Sequence, residues 1–384
     1  MMLLKNGKIF TVTNGVIEQG DIFIQEGKIQ EVGKNLQVED EQVMDLQGAI
    51  VIPGMIDAHC HIGLAEENMG FEGSDINEMT DPLTPQLRAI DGINPMDGCF
   101  KKAVKAGITT VVTGPGSANV MGGQFVAMKT QGICVDEMVI KEPVAMKVAF
   151  GENPKRVYNG KGKMPSTRMA TAALLRTVLT ETKNYMDKKK KVEEKGDAFD
   201  VQLKYEALIP VLKKEIPLKA HAHRADDILT ALRIAKEFDV KITLDHCTEG
   251  HLIKEYIRES KVPAIVGPTL SHNSKIELTN KTFKTPRALT EEGIKVAIMT
   301  DHPVIPIEYL PLTAALAMKE GLSFEDTLKA VTINPAEIAG IDDRVGSIEK
   351  GKDADLVVLT GSPFEVATRT LFTMIDGKVV YQAE

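Results

Sequence analysis

The sequence is poor in several features that mark whole classes of protein. Its 384 residues contain only four cysteines, Cys60, Cys99, Cys134 and Cys247, and none of them forms a C-x-x-C pair. This spacing argues against a disulfide framework and is typical of reduced, mostly buried thiols in a cytosolic protein. The chain has no excess of basic residues, because its formal net charge is −8. Dedicated nucleic-acid binders normally carry a basic face, so we expect no nucleic-acid partner.

Long apolar runs are also missing. No segment approaches the roughly 18 apolar residues needed to span a bilayer. The first residues, MMLLKNG, lack the longer apolar region of a signal peptide. We therefore expect a cytoplasmic protein without a membrane partner. The hydrophobic share of 43% and the charged share of 26% are those of a soluble globular protein.

Short β-like runs are concentrated near the two ends of the chain. They lie at residues 8–12, 21–25, 28–32, 356–359 and 371–381. So few short strands at either end have too little core to be stable alone. We therefore predict that residues 1–52 and 345–384 together form one small β-sandwich domain.

The middle region, residues 53–344, alternates strand-like and helix-like segments. The run 228–238 has a helical pattern, for example, and is followed by the strand-like run 240–244. Repetition of this unit over about 280 residues predicts an α/β fold, a closed (β/α)8 TIM-like barrel. A doubly wound open sheet is the alternative, but no G-x-G-x-x-G motif follows the first strand of this region.

Most of the histidines lie at the same kind of position, just after a predicted strand. Seven of the eight come just after a predicted strand, namely His59, His61, His221, His223, His246, His272 and His302. Active sites of barrels gather at the C-terminal ends of the strands. His59 and His61 project to the same side of their strand, so both can bind one divalent ion. Two structural histidines would give the same H-x-H pattern, but the placement of the others favours a metal site.

Asp301 is a further candidate for this site. It directly follows the apolar run 296–300, where a carboxylate is costly to bury unless a cation or a strong donor pairs with it. The alternative is a capping aspartate before the turn at Pro303.

Lys147 stands inside the apolar run 144–150. A buried lysine can lose its proton and react, and carboxylation by carbon dioxide would make it a carboxylate able to bridge two metal ions. It can equally be an edge-strand lysine that reaches solvent. Glu142 and Glu152 flank this strand and could supply a bridging carboxylate instead.

Several short motifs follow one another in a characteristic order. They are PGMIDAHCH at 53–61, HAH at 221–223, DHC at 245–247, TDHP at 300–303, NPA at 334–336 and GSIEKGKDADL at 346–356. Together they resemble the amidohydrolase superfamily of metal-dependent hydrolases, in the branch related to imidazolonepropionase and Xaa-Pro dipeptidase-like enzymes. The resemblance covers nearly the whole chain.

The resemblance implies a set of metal ligands. They would be His59, His61 and Asp301 for the more buried ion, His221 and His246 for a second ion, and Lys147 as a carboxylated bridge. The segment GENP at 151–154 departs from the usual ending of this strand, so the number of ions is one or two. The ions would be Zn²⁺, with Fe²⁺, Mn²⁺ or Ni²⁺ as alternatives.

The resemblance also implies a reaction, the cleavage of a C–N amide bond by a metal-activated hydroxide. The substrate would be a cyclic amide, a dipeptide or an N-acyl amino acid. Asp301 would transfer the proton. His223 and His272 would polarise the carbonyl or contact the substrate, or else orient the metal ligands. Arg224 could pair with a substrate carboxylate or form a structural salt bridge, and Lys275 and Arg287 raise the same question.

Two other functions remain open from the sequence. One is a deaminase of heterocycles, which typically uses a single metal ion. The other is a catalytically silent scaffold, although such proteins usually lose ligands that are present here. The partner that we expect is a small-molecule substrate, and relatives commonly form dimers or larger assemblies, so we also expect a homo-oligomer.

Overall fold

A computed structural model describes residues 1–38, 42–67 and 69–384. Its strands are β1 (Met2–Phe10), β2 (Val16–Gln25), β3 (Lys28–Gly33), β4 (Gln42–Asp45), β5 (Ile50–Pro53), β6 (Met55–Cys60), β7 (Ile108–Thr113), β8 (Met121–Lys129), β9 (Val139–Ala149), β10 (Leu218–Ala222), β11 (Ile242–His246), β12 (Ala264–Val266), β13 (Val296–Ile298), β14 (Leu356–Leu359), β15 (Thr370–Ile375) and β16 (Lys378–Gln382). Within these ranges the strands form two sheets.

The α-helices connect the strands or pack on them. They are α1 (Gly98–Lys105), α2 (Val135–Met138), α3 (Glu152–Asn159), α4 (Arg168–Glu193), α5 (Leu203–Glu206), α6 (Ile209–Leu212), α7 (Ala225–Phe238), α8 (Lys254–Ser260), α9 (Thr285–Thr290), α10 (Leu310–Lys319), α11 (Phe324–Ala330) and α12 (Ile333–Ala339). Among the described residues, no helix combines the length and the apolar character needed to cross a membrane.

The barrel sheet contains the eight strands β6 to β13 in the order of the chain. The ends of β6 and β13 meet through two backbone hydrogen bonds: the N–H of Asp301 donates to the carbonyl of His59 (3.1 Å), and the N–H of His61 donates to the carbonyl of His302 (2.8 Å). The sheet is therefore a nearly closed barrel, which confirms the predicted α/β fold with a TIM-like barrel.

One strand departs from the strict (β/α)8 pattern. Strand β8 is antiparallel to both of its neighbours, β7 and β9, whereas the other neighbouring pairs of this sheet are parallel. The connection from β7 to β8 spans only residues 114–120. A parallel pair needs a crossover of a dozen or more residues, so this connection permits only an antiparallel return.

Helices α4 and α7 cover the outer face of β9 to β11. Helix α7 carries Asp226 and Asp227 in its first turn, where carboxylates interact favourably with the helix dipole, and it ends at Asp239 in the left-handed conformation. Its buried residues recur at helical spacing and share one apolar cluster with α4 and the strands, as shown by Ile228, Ala231, Ile234, Leu175, Val178 and Leu244. This packing fixes the strand ends that carry the site.

The terminal sheet, also of eight strands, joins the two ends of the chain. Its strands follow the order β16-β15-β14-β5-β1-β2-β3, and β4 pairs with β1. Strand β14, near the C-terminus, is antiparallel to β5, near the N-terminus. Both ends therefore build one sheet around one apolar core, formed by residues such as Leu4, Ile22, Val51, Leu356 and Met374. The domain boundaries at residues 52 and 345 stay a prediction.

A buried lysine links the two sheets. The ammonium group of Lys129, in barrel strand β8, donates to Asp353 (2.9 Å) and to Asp355 (2.6 Å), just before β14. Arg344 also donates to Asp353 (2.8 Å). Because Lys129 and both aspartates are buried, these contacts hold the terminal sheet against the barrel.

Candidate metal centre

The C-terminal ends of the barrel strands bring together seven of the residues predicted from the sequence. They are His59, His61, Lys147, His221, His223, His246 and Asp301, and all of them are buried. They come from β6, β9, β10 and β11 and from the residues directly after β6, β10 and β13.

Asp301 stands between the two histidines of the first strand. Its Oδ1 atom lies 3.3 Å from Nε2 of His59 and 3.2 Å from Nε2 of His61. Burial acts to raise the pKa of Asp301, but His246 and the hydrogen bonds from His59 and His61 hold that pKa well below its ordinary value. The carboxylate is therefore ionised and faces two imidazoles.

Each of three imidazoles is fixed through its Nδ1 atom. His61 Nδ1 lies 2.6 Å from the carbonyl oxygen of Gly114, and His246 Nδ1 lies 2.9 Å from that of Gly267. His223 Nδ1 lies 2.7 Å from a hydroxyl, Thr248 Oγ1. A carbonyl oxygen only accepts, so Nδ1 of His61 and of His246 donates and Nε2 of each ring is left available as a ligand; the hydroxyl sets the orientation of His223.

The donor atoms fit a divalent metal ion. Nitrogen or oxygen atoms of His59, His246 and Asp301 lie within 4.8 Å of one another, and so do nitrogen atoms of His221, His223 and His246. The Nε2 atom of His246 is buried and has no hydrogen-bond partner among the described residues. Burial lowers the pKa of His246 to about 3, so this ring is neutral. An unpaired buried imidazole nitrogen is costly unless a metal ion or another ligand satisfies it.

The backbone is strained at two of these residues. His246 has φ of 70° and Asp301 has φ of 55°, both in the left-handed region. Such conformations cost of the order of 1–3 kcal/mol and concentrate at functional sites. At each of these two strand ends, the backbone conformation that places the side chain in the site therefore costs conformational energy.

Lys147 lies beside the first histidine of the motif. Its Nζ atom is 3.2 Å from Nε2 of His59, and burial lowers the pKa of Lys147 to about 8. Lys219 pairs with Lys147 from the neighbouring strand β10. It donates to the carbonyl of Ala58 (3.0 Å) and lies 3.3 Å from Asp245. We did not predict Lys219 and Asp245, although charged residues within the apolar strands β10 and β11 give the same signal as Lys147.

Three polar residues, Asn153, Lys275 and Glu277, lie along one side of these seven residues, and we call them the polar wall. Glu277 Oε1 lies 3.7 Å from Nε2 of His223, and its Oε2 accepts the backbone N–H of Glu152 (3.1 Å). The ammonium group of Lys275 donates to Glu277 (2.7 Å) and to Asn153 (3.0 Å). No sequence pattern indicated Glu277 or Asn153, because Glu277 lies in a short 3-10 helix (Ile276–Leu278) and Asn153 in the short helix α3, both outside the barrel strands.

Other predicted residues lie outside the group. Arg224 is turned towards Asp226, with two donor–acceptor distances of 3.0 and 2.9 Å. The side chain of His272 is exposed and makes no hydrogen bond with the described residues. Glu142 is paired with Arg88 (2.9 Å). Substrate contacts by Arg224 and His272 stay predictions.

Known proteins similar to this chain support the resemblance. The model of the "Amidohydrolase family" matches residues 50–380. A crystal structure of an amidohydrolase from Thermotoga maritima MSB8 is 46% identical, with a TM-score of 0.98 and 100% of both chains covered. The imidazolonepropionase of Caldanaerobacter subterraneus subsp. tengcongensis is 26% identical over 89% of this chain and 84% of that protein.

A third relative is longer than this chain. Amidohydrolase tasK of Hapsidospora irregularis is 27% identical over 93% of this chain but only 39% of that protein, so the chain spans about two fifths of its length. The family match confirms the resemblance and the prediction that the protein is an enzyme of the amidohydrolase type. The chain belongs to the amidohydrolase family, a family of metal-dependent enzymes.

Proposed function

We propose that the protein uses a divalent metal centre to hydrolyse a C–N amide bond in a small, carboxylate-bearing substrate. The observation that carries this proposal is the position of Asp301, whose Oδ1 lies 3.3 Å from Nε2 of His59 and 3.2 Å from Nε2 of His61 in a buried site. Imidazole and carboxylate together are typical ligands of catalytic zinc. The relative named imidazolonepropionase supports the same reaction class.

The ligands divide into two groups. We assign His59, His61 and Asp301 to one ion, His221 and His246 to a second, and carboxylated Lys147 to the bridge between them. Bound there, the ions supply Lewis acidity, which lowers the pKa of water and polarises a carbonyl group. Zn²⁺ is the ion that we propose, and Fe²⁺, Mn²⁺ and Ni²⁺ are the alternatives.

The positions of the candidate bridging residues favour Lys147. Its Nζ atom lies 3.2 Å from Nε2 of His59. Glu142 is instead paired with Arg88, and Glu152 begins helix α3 beside the polar wall. Lys147 is therefore the candidate that lies among the other ligands.

Two residues act directly on the substrate in this proposal. The ionised carboxylate of Asp301 accepts a proton from the attacking water and returns it to the leaving nitrogen, as general base and then general acid. His223 Nδ1 lies 2.7 Å from Thr248 Oγ1, and we assign to His223 the tautomer in which Nδ1 accepts this hydroxyl hydrogen and Nε2 carries the ring hydrogen. That N–H donates to the substrate carbonyl oxygen and stabilises the negative charge that develops there.

The proposal is tested by measuring amide hydrolysis and bound metal together. The zinc-loaded protein would be assayed with dipeptides, cyclic amides and N-acyl amino acids, and bound metal measured by elemental analysis. We expect hydrolysis by the wild type and a loss of about 10²–10⁴-fold in kcat for Asp301→Asn. The matched control is Asp239→Asn, because Asp239 is an exposed carboxylate paired with Lys214 (2.7 Å).

Other outcomes would replace the proposal. Ammonia release from heterocycles by a protein with about one ion would identify a deaminase. A protein that binds no metal after expression with zinc, and that acts on none of these substrates, would be a silent scaffold. The cytoplasmic location and the homo-oligomeric state stay predictions.

A further inference from the structure

A cavity of about 420 Å³ opens beside the metal centre. Its charged lining residues are Glu152, Lys155, Arg156, Arg168, Arg224 and Glu277, and we call it the basic pocket. Glu277 belongs to both sites, because its Oε1 lies 3.7 Å from Nε2 of His223 and its Oε2 accepts the backbone N–H of Glu152 (3.1 Å). Arg224 directly follows His223 in the sequence. The basic pocket and the metal centre therefore share a wall.

Two of the four cations have no ion-pair partner among the described residues, and the four cations outnumber the two carboxylates of the lining. Lys155 and Arg156, on successive positions of helix α3, form no ion pair with any residue that the structure describes. Glu152, at the start of the same helix, is likewise without an ion-pair partner in the described ranges. Lys155 and Arg156 therefore attract an anion into this cavity.

The other two cations are held in place by neighbouring carboxylates. Arg224 uses Nε and Nη2 for Asp226 (3.0 and 2.9 Å), and Arg168 uses Nε for both oxygens of Asp227 (3.0 and 3.1 Å). A guanidinium group has five N–H donors, so both arginines keep free donors after these contacts. Their orientation is fixed in advance, which lowers the entropy cost of binding a carboxylate.

The position of Glu277 decides which carboxylate can enter. The carboxylate of Glu277 lies 3.7 Å from Nε2 of His223, and Glu277 also lines the basic pocket. A carboxylate on the carbon next to the scissile nitrogen would stay on the His223 side of this wall. A carboxylate at the end of a short side chain can extend past Glu277 and reach the four cations.

We propose that the basic pocket binds the side-chain carboxylate of the substrate, so that the enzyme selects N-acyl or peptidyl derivatives of acidic amino acids. Arg156, Arg168 and Lys155 are then residues that determine specificity, in addition to Arg224. This proposal rests on the proposed function for the reaction itself. It adds the class of substrate and the place where its second carboxylate binds.

The test compares two ligands that differ in one group. N-acetylglutamate and N-acetylglutamine have nearly the same shape and share the α-carboxylate, but only the first has a side-chain carboxylate. Calorimetric titration of the metal-loaded full chain measures binding of both ligands. We expect N-acetylglutamate to bind at least about tenfold more tightly, and we expect this ratio to shrink as salt screens the pocket.

The variant is the double substitution Lys155→Gln and Arg156→Gln. It should reduce the ratio of the two affinities to near one. The control is Arg287→Gln, because Arg287 is paired with Glu291 (2.7 Å) on the surface, outside the basic pocket. This control should keep the wild-type ratio.

The outcomes separate the two proposals. A wild-type ratio near one, or a high ratio that persists in the double variant, would overturn the basic pocket as a carboxylate site. Hydrolysis of neutral amides with no preference for acidic ones would do the same while leaving the proposed reaction intact. Preferential binding of N-acetylglutamate by a protein that hydrolyses no amide would support the pocket and overturn the proposed function.

Discussion

Asp245 Oδ2 lies 2.9 Å from Nδ1 of His59, on the side of the ring that faces away from Asp301. Neither side chain is accessible to solvent. Burial acts to raise the pKa of Asp245, but Lys219 and His59 lower it below its ordinary value, so the carboxylate is ionised. A carboxylate behind a metal-binding histidine fixes the tautomer and raises the basicity of the ligand nitrogen.

We predict that Asp245→Asn weakens metal binding by about 10–100-fold, the usual effect of removing such a partner. Competition with a chromophoric chelator would measure the affinity of the variant. Asp239→Asn is the control, because Asp239 is an exposed carboxylate at the C-terminal end of helix α7 and does not contact His59. Unchanged zinc affinity in Asp245→Asn would mean that Asp245 has a purely structural role.

Lys147→Ala should lower the metal content from about two ions per chain to one or fewer, because the variant lacks the proposed bridge. Elemental analysis of both proteins after the same zinc treatment gives the comparison. Lys141→Ala is the matched control, since Lys141 lies on the same strand and donates to the carbonyl of Ala339 (3.1 Å) at the barrel surface. Equal metal content in wild type and Lys147→Ala would exclude Lys147 from the centre.

Lys129→Ala should destabilise the fold by about 3–5 kcal/mol, because it leaves a buried carboxylate without its cation. That carboxylate belongs to Asp355, whereas Asp353 keeps its contact with Arg344 (2.8 Å). Denaturant unfolding of wild type and variant measures the difference in free energy. Lys8→Ala, which removes an exposed pair with Glu18 (3.1 Å), should cost about 1 kcal/mol or less. Similar losses in the two variants would show that the buried link contributes little.

Only Cys134 should react quickly with a thiol reagent in the native protein near neutral pH. Cys134 is exposed, whereas Cys60, Cys99 and Cys247 are buried. Burial raises the pKa of Cys247 to about 12 and also raises the pKa of Cys60 and Cys99. The thiolate is the reacting form, so these three thiols stay inert at neutral pH.

Counting reactive thiols with a colorimetric disulfide reagent tests this expectation. One thiol should react in the folded chain, and all four should react after unfolding. Cys134→Ser should abolish the fast reaction. A second fast thiol in the native protein would show that one of the buried cysteines becomes accessible.

The sequence was sufficient to place the proposed ligands of the candidate centre at one face of the barrel. His59, His61, His221, His246 and Asp301 stand at the ends of apolar runs, and a barrel brings the C-terminal ends of its parallel strands to one face. Strand alternation gives His59 and His61 the same direction, as the structure shows by the contact of both with Asp301. These relationships follow from the local periodicity of the sequence and from the known topology of a barrel. A single sequence is therefore enough to predict them.

The terminal sheet was also predictable in outline. The hairpin around Asp376-Gly377 and the strands near residue 30 needed a shared core, and the structure provides it by pairing β5 with β14. Strand β8 was missed because its antiparallel direction follows from the short connection 114–120 and not from its own apolar residues.

By itself the sequence determined the barrel, the paired ends and the group of candidate ligands, because periodicity and motif order encode them. Only the tertiary structure decided how the surroundings of that group are built. It placed Asp245 behind His59, turned Arg224 towards Asp226, and brought Glu277 beside His223. These side chains come from different strands and loops, and contacts between distant segments depend on how the elements pack, which no local pattern specifies.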